Sequence, residues 1–468
     1  MNSKFAPGFY SQEQELQYNN LEIEGKFPEW LSGSLLRTGP ALYELEHQNY
    51  RHWYDGLAML YKFSFQNGKV DFASKFLESK SYLKARNSGK VEIKEWATDP
   101  CRSVFEQLKS YLIAPALTDN GNINIIAYGD MLLATSETPL PIEFDRETLK
   151  TFDQADFNDS LQGQIDPSHP HYDKAGNVYS YLLKYSLISK YQIYRLNPKT
   201  MQRDKITEIK IKNPSYMHSF GFTENYLVLV EFPFVVNPVE MKFGDKPLIE
   251  NYKWKPELGT KYQVINLHNG EVNTFEGDPI FAFHHVNAYE EGDQIHLDMI
   301  TFADTKVIKT LYLEDLRGND PTYAAGHLTR ATINKTGSSK AVTLTRLSEK
   351  LMELPRINYK SKNGKNYRYT WGAGNTKEGN WLDDITKIDV KTGEHKTWYE
   401  KHCYPGEPVF IEHPDAKNED DGVLLSVVLD SDAKDTFLLV LDASTLSVLA
   451  KARFPEVIPF SFHGNFYN

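Results

Sequence analysis

The chain has 468 residues, a formal net charge of -11 and two cysteines, Cys101 and Cys403. An acidic chain is not expected to bind nucleic acid, and two thiols are too few for a disulfide framework, so the cytosol is the predicted compartment. The start of the chain lacks the basic and apolar pattern of a signal peptide. The most apolar stretch, residues 226–239, is interrupted by Glu231 and two prolines, so no membrane-spanning helix is predicted.

Six short segments spread along the chain share the pattern of a β-hairpin. In each, an alternating strand pattern runs into a turn rich in Asp, Asn, Gly or Thr, and a second strand pattern follows. In chain order, these segments are residues 61–70, 141–150, 194–201, 263–272, 386–395 and 440–449. Related hairpins separated by variable insertions predict the blades of a β-propeller.

Helix signals are few. The clearest lies at residues 100–111, with Asp99 as the expected N-cap and Pro100 in the first turn. No linker or low-complexity tract divides the chain. The sequence therefore predicts an all-β protein with short helices in its connecting loops, folded as a single domain over residues 1–468. A pair of β-sandwiches is the alternative architecture.

Four of the 14 histidines lie among strand-forming or aromatic residues, and each is predicted to lie near a turn rather than in mid-strand. They are His169, His218, His284 and His463. A propeller brings distant segments together because the inner strand of every blade borders one axis. Neutral imidazoles bind Fe, Zn, Cu or Ni, so the four residues form a candidate metal site. The alternative is that these histidines bind no metal, since a histidine in an aromatic strand is more often a hydrogen-bonded core residue.

Three glutamates are candidates for carboxylates that accept a hydrogen bond from the outer ring N–H of a metal-binding histidine. They are Glu137, Glu353 and Glu407, and each is followed within two residues by a proline that fixes the local backbone. Such carboxylates would orient the imidazoles and offset the charge of a metal held only by neutral ligands.

Eight blocks that include these residues resemble, in the same order along the chain, those of the carotenoid cleavage oxygenase family. They are GSLLRTGPALYE (33–44), HWYDGLAML (52–60), SHPHYD (168–173), PSYMHSFGFTENYLVLVE (214–231), FHHVNAYEEGD (283–293), ELPRIN (353–358), PGEPVFIEHP (405–414) and FHGNF (462–466). The match runs nearly end to end. Within the family, the residues of these blocks are most similar to those of the animal branch, which contains the β-carotene oxygenases and the retinoid isomerohydrolase.

The resemblance implies a seven-bladed β-propeller capped by a dome of loops and short helices over a substrate tunnel. It also implies one Fe(II) per chain, bound by the four histidines, with the three glutamates in contact with them. Two further histidines in the same blocks, His171 and His285, are interpreted as non-ligands. His52 and Asp55 are interpreted as structural residues.

The implied activity is cleavage of a conjugated carbon–carbon double bond of a carotenoid or apocarotenoid with O₂, which gives two aldehydes. Three alternatives remain: retinoid isomerohydrolysis on the same iron site, cleavage of a stilbene-like phenolic alkene, and a metal-free propeller that only binds ligands or proteins. Stilbene-cleaving relatives carry a lysine directly before the first glutamate, and this chain has Ser136 there. That difference counts against a hydroxystilbene substrate.

An apolar polyene must be taken from a membrane or a carrier, so peripheral membrane contact is part of the prediction. Residues 111–117 and residues 232–239 are apolar enough to enter one leaflet. The equally weighted alternative is that both segments belong to the propeller core or to the tunnel wall.

Overall fold

The computed structural model describes residues 3–100, 116–244, 246–319, 321–336 and 339–468. Regular structure in these residues is mostly β, as expected, and the strands within each sheet pair antiparallel. The predicted helix at residues 100–111, with Cys101, falls on residues 101–115, outside the described part of the chain.

Six sheets of four or more strands account for most of the fold, and their strands follow here in spatial order. The first sheet contains Gln17–Tyr18, Lys69–Phe76, Leu57–Gln66, Gly33–Leu42 and Gly464–Tyr467. The second contains Asn124–Tyr128, Met131–Thr135, Ile142–Phe144 and Thr151–Gln154. The third contains His171–Tyr172, Val178–Lys184, Ser189–Asn197 and Gln202–Ile211. The fourth contains Gly221–Phe222, Tyr226–Glu231, Thr260–Asn266 and Val272–Gly277.

The fifth sheet is the largest, and the sixth receives a strand from the start of the chain. The fifth contains Phe281–Glu291, Gln294–Phe302, Gly326–Asn334, Thr343–Arg356, Tyr369–Gly374, Asp384–Asp389 and His395–Tyr399. The sixth contains Glu22–Gly25, Val448–Phe454, Asp435–Asp442, Gly422–Asp430 and Cys403–Pro405, and Val409–Glu412 also pairs with Gly422–Asp430. A two-stranded ribbon joins Phe234–Val235 to Lys253–Trp254.

The helices of the described residues are short and lie in connections. The α-helices are Lys80–Ser88, Pro238–Phe243, Lys306–Lys309, Leu313–Leu316 and Tyr359–Lys362, and the 3-10 turns are Ala6–Phe9, Trp53–Asp55, Ile249–Asn251 and Pro256–Leu258. None of the described helices is long and apolar enough to cross a membrane.

All six predicted hairpins are confirmed, because each of the six segments contains the turn that joins two neighbouring strands, and these strands pair antiparallel. The two ends of the chain also share sheets: Gly464–Tyr467 pairs with Gly33–Leu42, and Glu22–Gly25 pairs with Val448–Phe454. This exchange ties the first sheet to the last and pairs strand edges that would otherwise be free.

Candidate metal centre

The four histidines of the candidate site come from the edges of four different sheets. His169, His218 and His463 lie just before the short edge strands His171–Tyr172, Gly221–Phe222 and Gly464–Tyr467. The prediction that each histidine lies near a turn is wrong for His284, which lies inside the edge strand Phe281–Glu291. The pairing register of this strand shifts on both sides of His285, and such an irregularity re-aims side chains next to a site.

The structure brings all four imidazoles together. One ring nitrogen of each lies within 4.8 Å of the corresponding nitrogen of the others. Nε2 of His169 is 3.0 Å from Nε2 of His218, and Nε2 of His284 is 3.2 Å from Nε2 of His463. His169 is partly exposed, whereas the other three are buried.

Each of the three predicted glutamates contacts one of these histidines. Nδ1 of His218 donates to Glu137 at 2.5 Å, Nδ1 of His284 to Glu353 at 2.5 Å and Nδ1 of His463 to Glu407 at 2.7 Å. No described residue accepts a hydrogen bond from Nδ1 of His169.

The hydrogen bonds to the carboxylates assign the tautomers and so test whether a metal fits. A proton on Nδ1 of His218, His284 and His463 leaves a lone pair on Nε2 of each, so the Nε2 atoms of His284 and His463 face one another at 3.2 Å with no proton to share. A cation that accepts lone pairs from all four nitrogens removes this repulsion, so the donor set fits a transition metal that prefers imidazole.

The three carboxylates differ in their other partners. Glu407 is fully buried between two cations: Arg356 donates from Nη2 at 3.0 Å, and Nη1 of Arg37 lies 3.5 Å away. Glu137 instead accepts from the hydroxyl of Tyr216 at 2.8 Å, and Glu353 accepts from the backbone N–H of Leu354 at 2.7 Å. The charge near the site is therefore unevenly distributed.

The pKa values follow from this environment. Burial raises the pKa of Glu353 to about 7, whereas for Glu407 the nearby Arg356, His463 and Arg37 outweigh burial and hold the pKa well below its usual range. Burial lowers the pKa of His463 to about 4, and burial together with neighbouring imidazoles holds the pKa of His169 far below 6.5. These imidazoles are therefore neutral at pH 7, the form in which a histidine binds a metal.

A narrow apolar cavity borders the histidines. Its lining is aromatic and aliphatic except next to the histidines, and consists of Trp53, Tyr54, Ile123, His218, Phe283, His284, Leu311, Tyr323, Glu353, Leu354, Leu382, Phe462 and His463. A cavity of this kind suits an apolar ligand held next to the metal.

The four residues interpreted as non-ligands are hydrogen-bonded in the surrounding structure. His52 accepts from the backbone N–H of Tyr54 at 3.1 Å, and Asp55 accepts from the backbone N–H of Ala97 at 3.0 Å. His171 contacts the Phe220 carbonyl, and His285 contacts Ser219. None of the four belongs to the cluster.

Sequence reasoning missed Arg37, Arg356 and Tyr216, which contact the glutamates. A signal existed for Arg37, which interrupts the apolar strand Gly33–Leu42, since a charge in a buried strand requires a partner. No sequence pattern indicates that Tyr216 lies against Glu137.

Comparison with known proteins identifies the family of this chain. The model of the family described as retinal pigment epithelial membrane protein, RPE65, matches residues 9–468. The chain is 32% identical over 507 residues to β,β-carotene 15,15'-dioxygenase of Gallus gallus, covering 95% of this chain and 94% of that protein. It is 33% identical over 480 residues to carotenoid isomerooxygenase of Galleria mellonella, covering 95% and 92%.

Comparison with solved structures supports the same family. A point mutant of the apocarotenoid oxygenase of Synechocystis superposes with a TM-score of 0.88 at 26% identity, covering 99% of this chain and 98% of that one. The cobalt-substituted form of the same oxygenase gives 0.87 at 26% identity over the same shares. With one family model spanning almost the whole sequence and relatives above 30% identity over nearly their full length, the chain belongs to the RPE65 family, that of the carotenoid oxygenases.

Proposed function

We propose that the chain is a non-haem iron dioxygenase that cleaves a conjugated double bond of a carotenoid or apocarotenoid with O₂ and releases two aldehydes. The observation that carries the proposal is the convergence of one ring nitrogen from each of four histidines beside an apolar cavity. The relatives named as carotenoid dioxygenases support the choice of substrate.

The proposed ligands of one Fe(II) per chain are His169, His218, His284 and His463, and Glu137, Glu353 and Glu407 orient three of them. When bound, Fe(II) supplies the one-electron and O₂ chemistry that protein side chains lack. The buried carboxylates hold each Nδ1 proton in place and so keep the Nε2 lone pairs aimed at the metal.

The remaining residues act by position. The aromatic and aliphatic walls of the cavity exclude water and hold the polyene beside the metal. A polyene has many similar double bonds, so the bond that is cut is the one that the cavity places nearest the metal. No side chain is required as a general acid or base.

The proposed architecture is a single seven-bladed propeller. Six sheets become seven blades if the fifth is divided along its 14-residue strand Thr343–Arg356, whose first part pairs with Gly326–Asn334 and whose last residues pair with Tyr369–Gly374. The strands shared by the two ends of the chain support a closed ring.

The metal is tested by iron content. Replacing His218 by Ala should abolish stoichiometric iron after anaerobic loading, because one of four ligands is lost. The matched control is His285→Asn, which changes a partly buried histidine that neighbours a ligand in sequence and should retain iron. Full iron in the His218 variant, measured on protein of unchanged circular dichroism, would remove that residue from the site.

Incorporation of labelled oxygen tests the proposed reaction. The iron-loaded chain is incubated with β-carotene or an apocarotenal under ¹⁸O₂, and aldehydes are reduced at once to prevent exchange with water. Label in both products supports cleavage. In a parallel incubation with a retinyl ester, formation of an unlabelled cis-alcohol would instead support isomerohydrolysis, the alternative that also fits the family.

We also propose that the protein contacts a membrane, but through side chains other than those predicted from the sequence. Phe232, Phe234 and Val236 are buried, so the prediction that residues 232–239 enter a leaflet is wrong for most of that segment. Of residues 111–117, the first five lie outside the described part. The most exposed large apolar side chains of the described residues are Leu187 and Ile188 in a hairpin turn and Phe243 at the end of Pro238–Phe243. We propose that Leu187, Ile188 and Phe243 contact the lipid.

A further inference from the structure

Two hydroxyl groups stand out in the apolar cavity beside the histidines. Tyr54 and Tyr323 both line it, and only 8% and 6% of their surfaces are exposed. Neither hydroxyl has a hydrogen-bond partner among the described residues. Other buried tyrosines differ in this respect: the hydroxyl of Tyr216 donates to Glu137 at 2.8 Å and that of Tyr367 to Asp298 at 2.7 Å, whereas the hydroxyl of Tyr61, outside the cavity, has no partner among the described residues.

Neither hydroxyl is among the buried atoms that lack a partner, so both hydroxyls retain some accessible surface, and both residues line the cavity. A tyrosine hydroxyl in an apolar site normally finds a hydrogen-bond partner, and a ligand in the cavity can supply it. Burial raises the pKa of Tyr54 and of Tyr323 well above 10. Both groups therefore remain protonated and can donate, so the group that satisfies them is an acceptor, such as a carbonyl or hydroxyl oxygen.

The position of Tyr54 is fixed and close to the metal ligands. Its ring centroid lies 6.3 Å from that of His218 and 4.8 Å from that of Phe462. Its backbone carbonyl accepts from Asn122 at 2.7 Å, and its backbone N–H donates to His52. A rigid donor at this place meets a substrate oxygen close to the reacting bond rather than at the far end of a long polyene.

We propose that Tyr54 and Tyr323 are specificity-determining residues that donate hydrogen bonds to an oxygen atom of the polyene, so that the chain prefers an oxygenated polyene to a hydrocarbon of the same length. The inference rests on the proposed function. It adds to that function the chemical group that the substrate carries and the two side chains that recognise it.

The test compares two substrates across variants. The iron-loaded chain is assayed with a polyene aldehyde and with a hydrocarbon polyene of equal conjugated length, and kcat/KM is measured for each. Tyr54→Phe and Tyr323→Phe should each lower the aldehyde-to-hydrocarbon ratio roughly threefold to tenfold, the value of one hydrogen bond, through the aldehyde alone. Tyr61→Phe is the matched control, because its buried hydroxyl is also unpartnered among the described residues but does not line the cavity.

Two outcomes would overturn the proposal: an unchanged ratio in both cavity variants, or equal losses on both substrates, which would indicate a structural role or a bound water. If the parent chain cleaves neither polyene, the proposed function fails instead. In that case binding still decides the inference. A hydrogen bond to the carbonyl should shift the absorption of the aldehyde to longer wavelength in the anaerobic complex, and this shift should vanish in the double Phe variant.

Discussion

At the scale of single residues, the three histidine–glutamate pairs are not equivalent. Glu137 and Glu353 each contact a histidine and one neutral donor but no arginine, at 2.5 Å from the ring nitrogen in both pairs. Glu407 shares its charge between His463 and two arginines, and its hydrogen bond to the histidine is longer at 2.7 Å. His463 is therefore the weakest electron donor of the three.

This difference predicts a gain of metal affinity in Arg356→Gln. Removing one cation concentrates the charge of Glu407 on His463 and removes a positive charge from the surroundings of the metal. We expect Fe(II) or Co(II) to bind roughly tenfold more tightly, the scale of effects from partners of metal ligands, as measured by competition with a chelator. Arg356→Lys retains the charge and is the control. Equal or weaker binding in the Gln variant would contradict the uneven-charge account.

At the scale of elements, local chemistry predicted the hairpins and tertiary contacts decided the rest. The turn at residues 66–69 and its five counterparts contain the Asn, Asp, Gly and Thr that turns require, so they were visible in the sequence. The register shift around His285 was not, because it depends on the pairing of Phe281–Glu291 with Gln294–Phe302. For the same reason the mid-strand position of His284 could not be predicted.

Gly464 follows His463 directly and begins the strand Gly464–Tyr467. We expect this glycine to be sensitive to substitution. A Cβ on Gly464 would lie 2.3 Å from the backbone oxygen of Leu36 and 2.5 Å from Cγ of Arg37. Gly464→Ala should therefore push Gly464–Tyr467 away from Gly33–Leu42 and displace His463. We expect a loss of about 1–3 kcal/mol in the free energy of unfolding together with a large loss of metal affinity.

A glycine in open space is the control for this experiment. Gly129 has a positive φ of 63°, and nothing lies within 4 Å of an added Cβ. Gly129→Ala should cost about 1 kcal/mol through backbone strain and leave metal affinity unchanged, as followed by urea denaturation and chelator competition. If both variants lost stability and metal affinity equally, the contact of Gly464 with the neighbouring strand would not be the cause.

At the scale of the whole molecule, the sequence pointed to a propeller but could not show which sheets are neighbours. The four histidines are dispersed from residue 169 to residue 463, and nothing local states that their edge strands meet. Family resemblance supplied that grouping. The buried partners Arg37 and Tyr216 reach Glu407 and Glu137 across hundreds or tens of residues, and only the assembled sheets bring them into contact.

The last prediction concerns exposed apolar side chains on the outer surface and their contact with lipid. Leu187 is 81% and Ile188 58% exposed at one hairpin turn, and two such side chains contribute about 1–3 kcal/mol each when they enter an apolar phase. Replacing both by Ser should reduce the fraction that floats with phosphatidylcholine vesicles at least several-fold, with cleavage of a detergent-solubilised polyene unchanged. Val448→Ser is the control, because Val448 is 46% exposed and lies in a different sheet, on the strand Val448–Phe454 of the sixth. An equal loss in this variant would mean that vesicle binding reflects general surface hydrophobicity, and the proposed contact at the hairpin turn would be wrong.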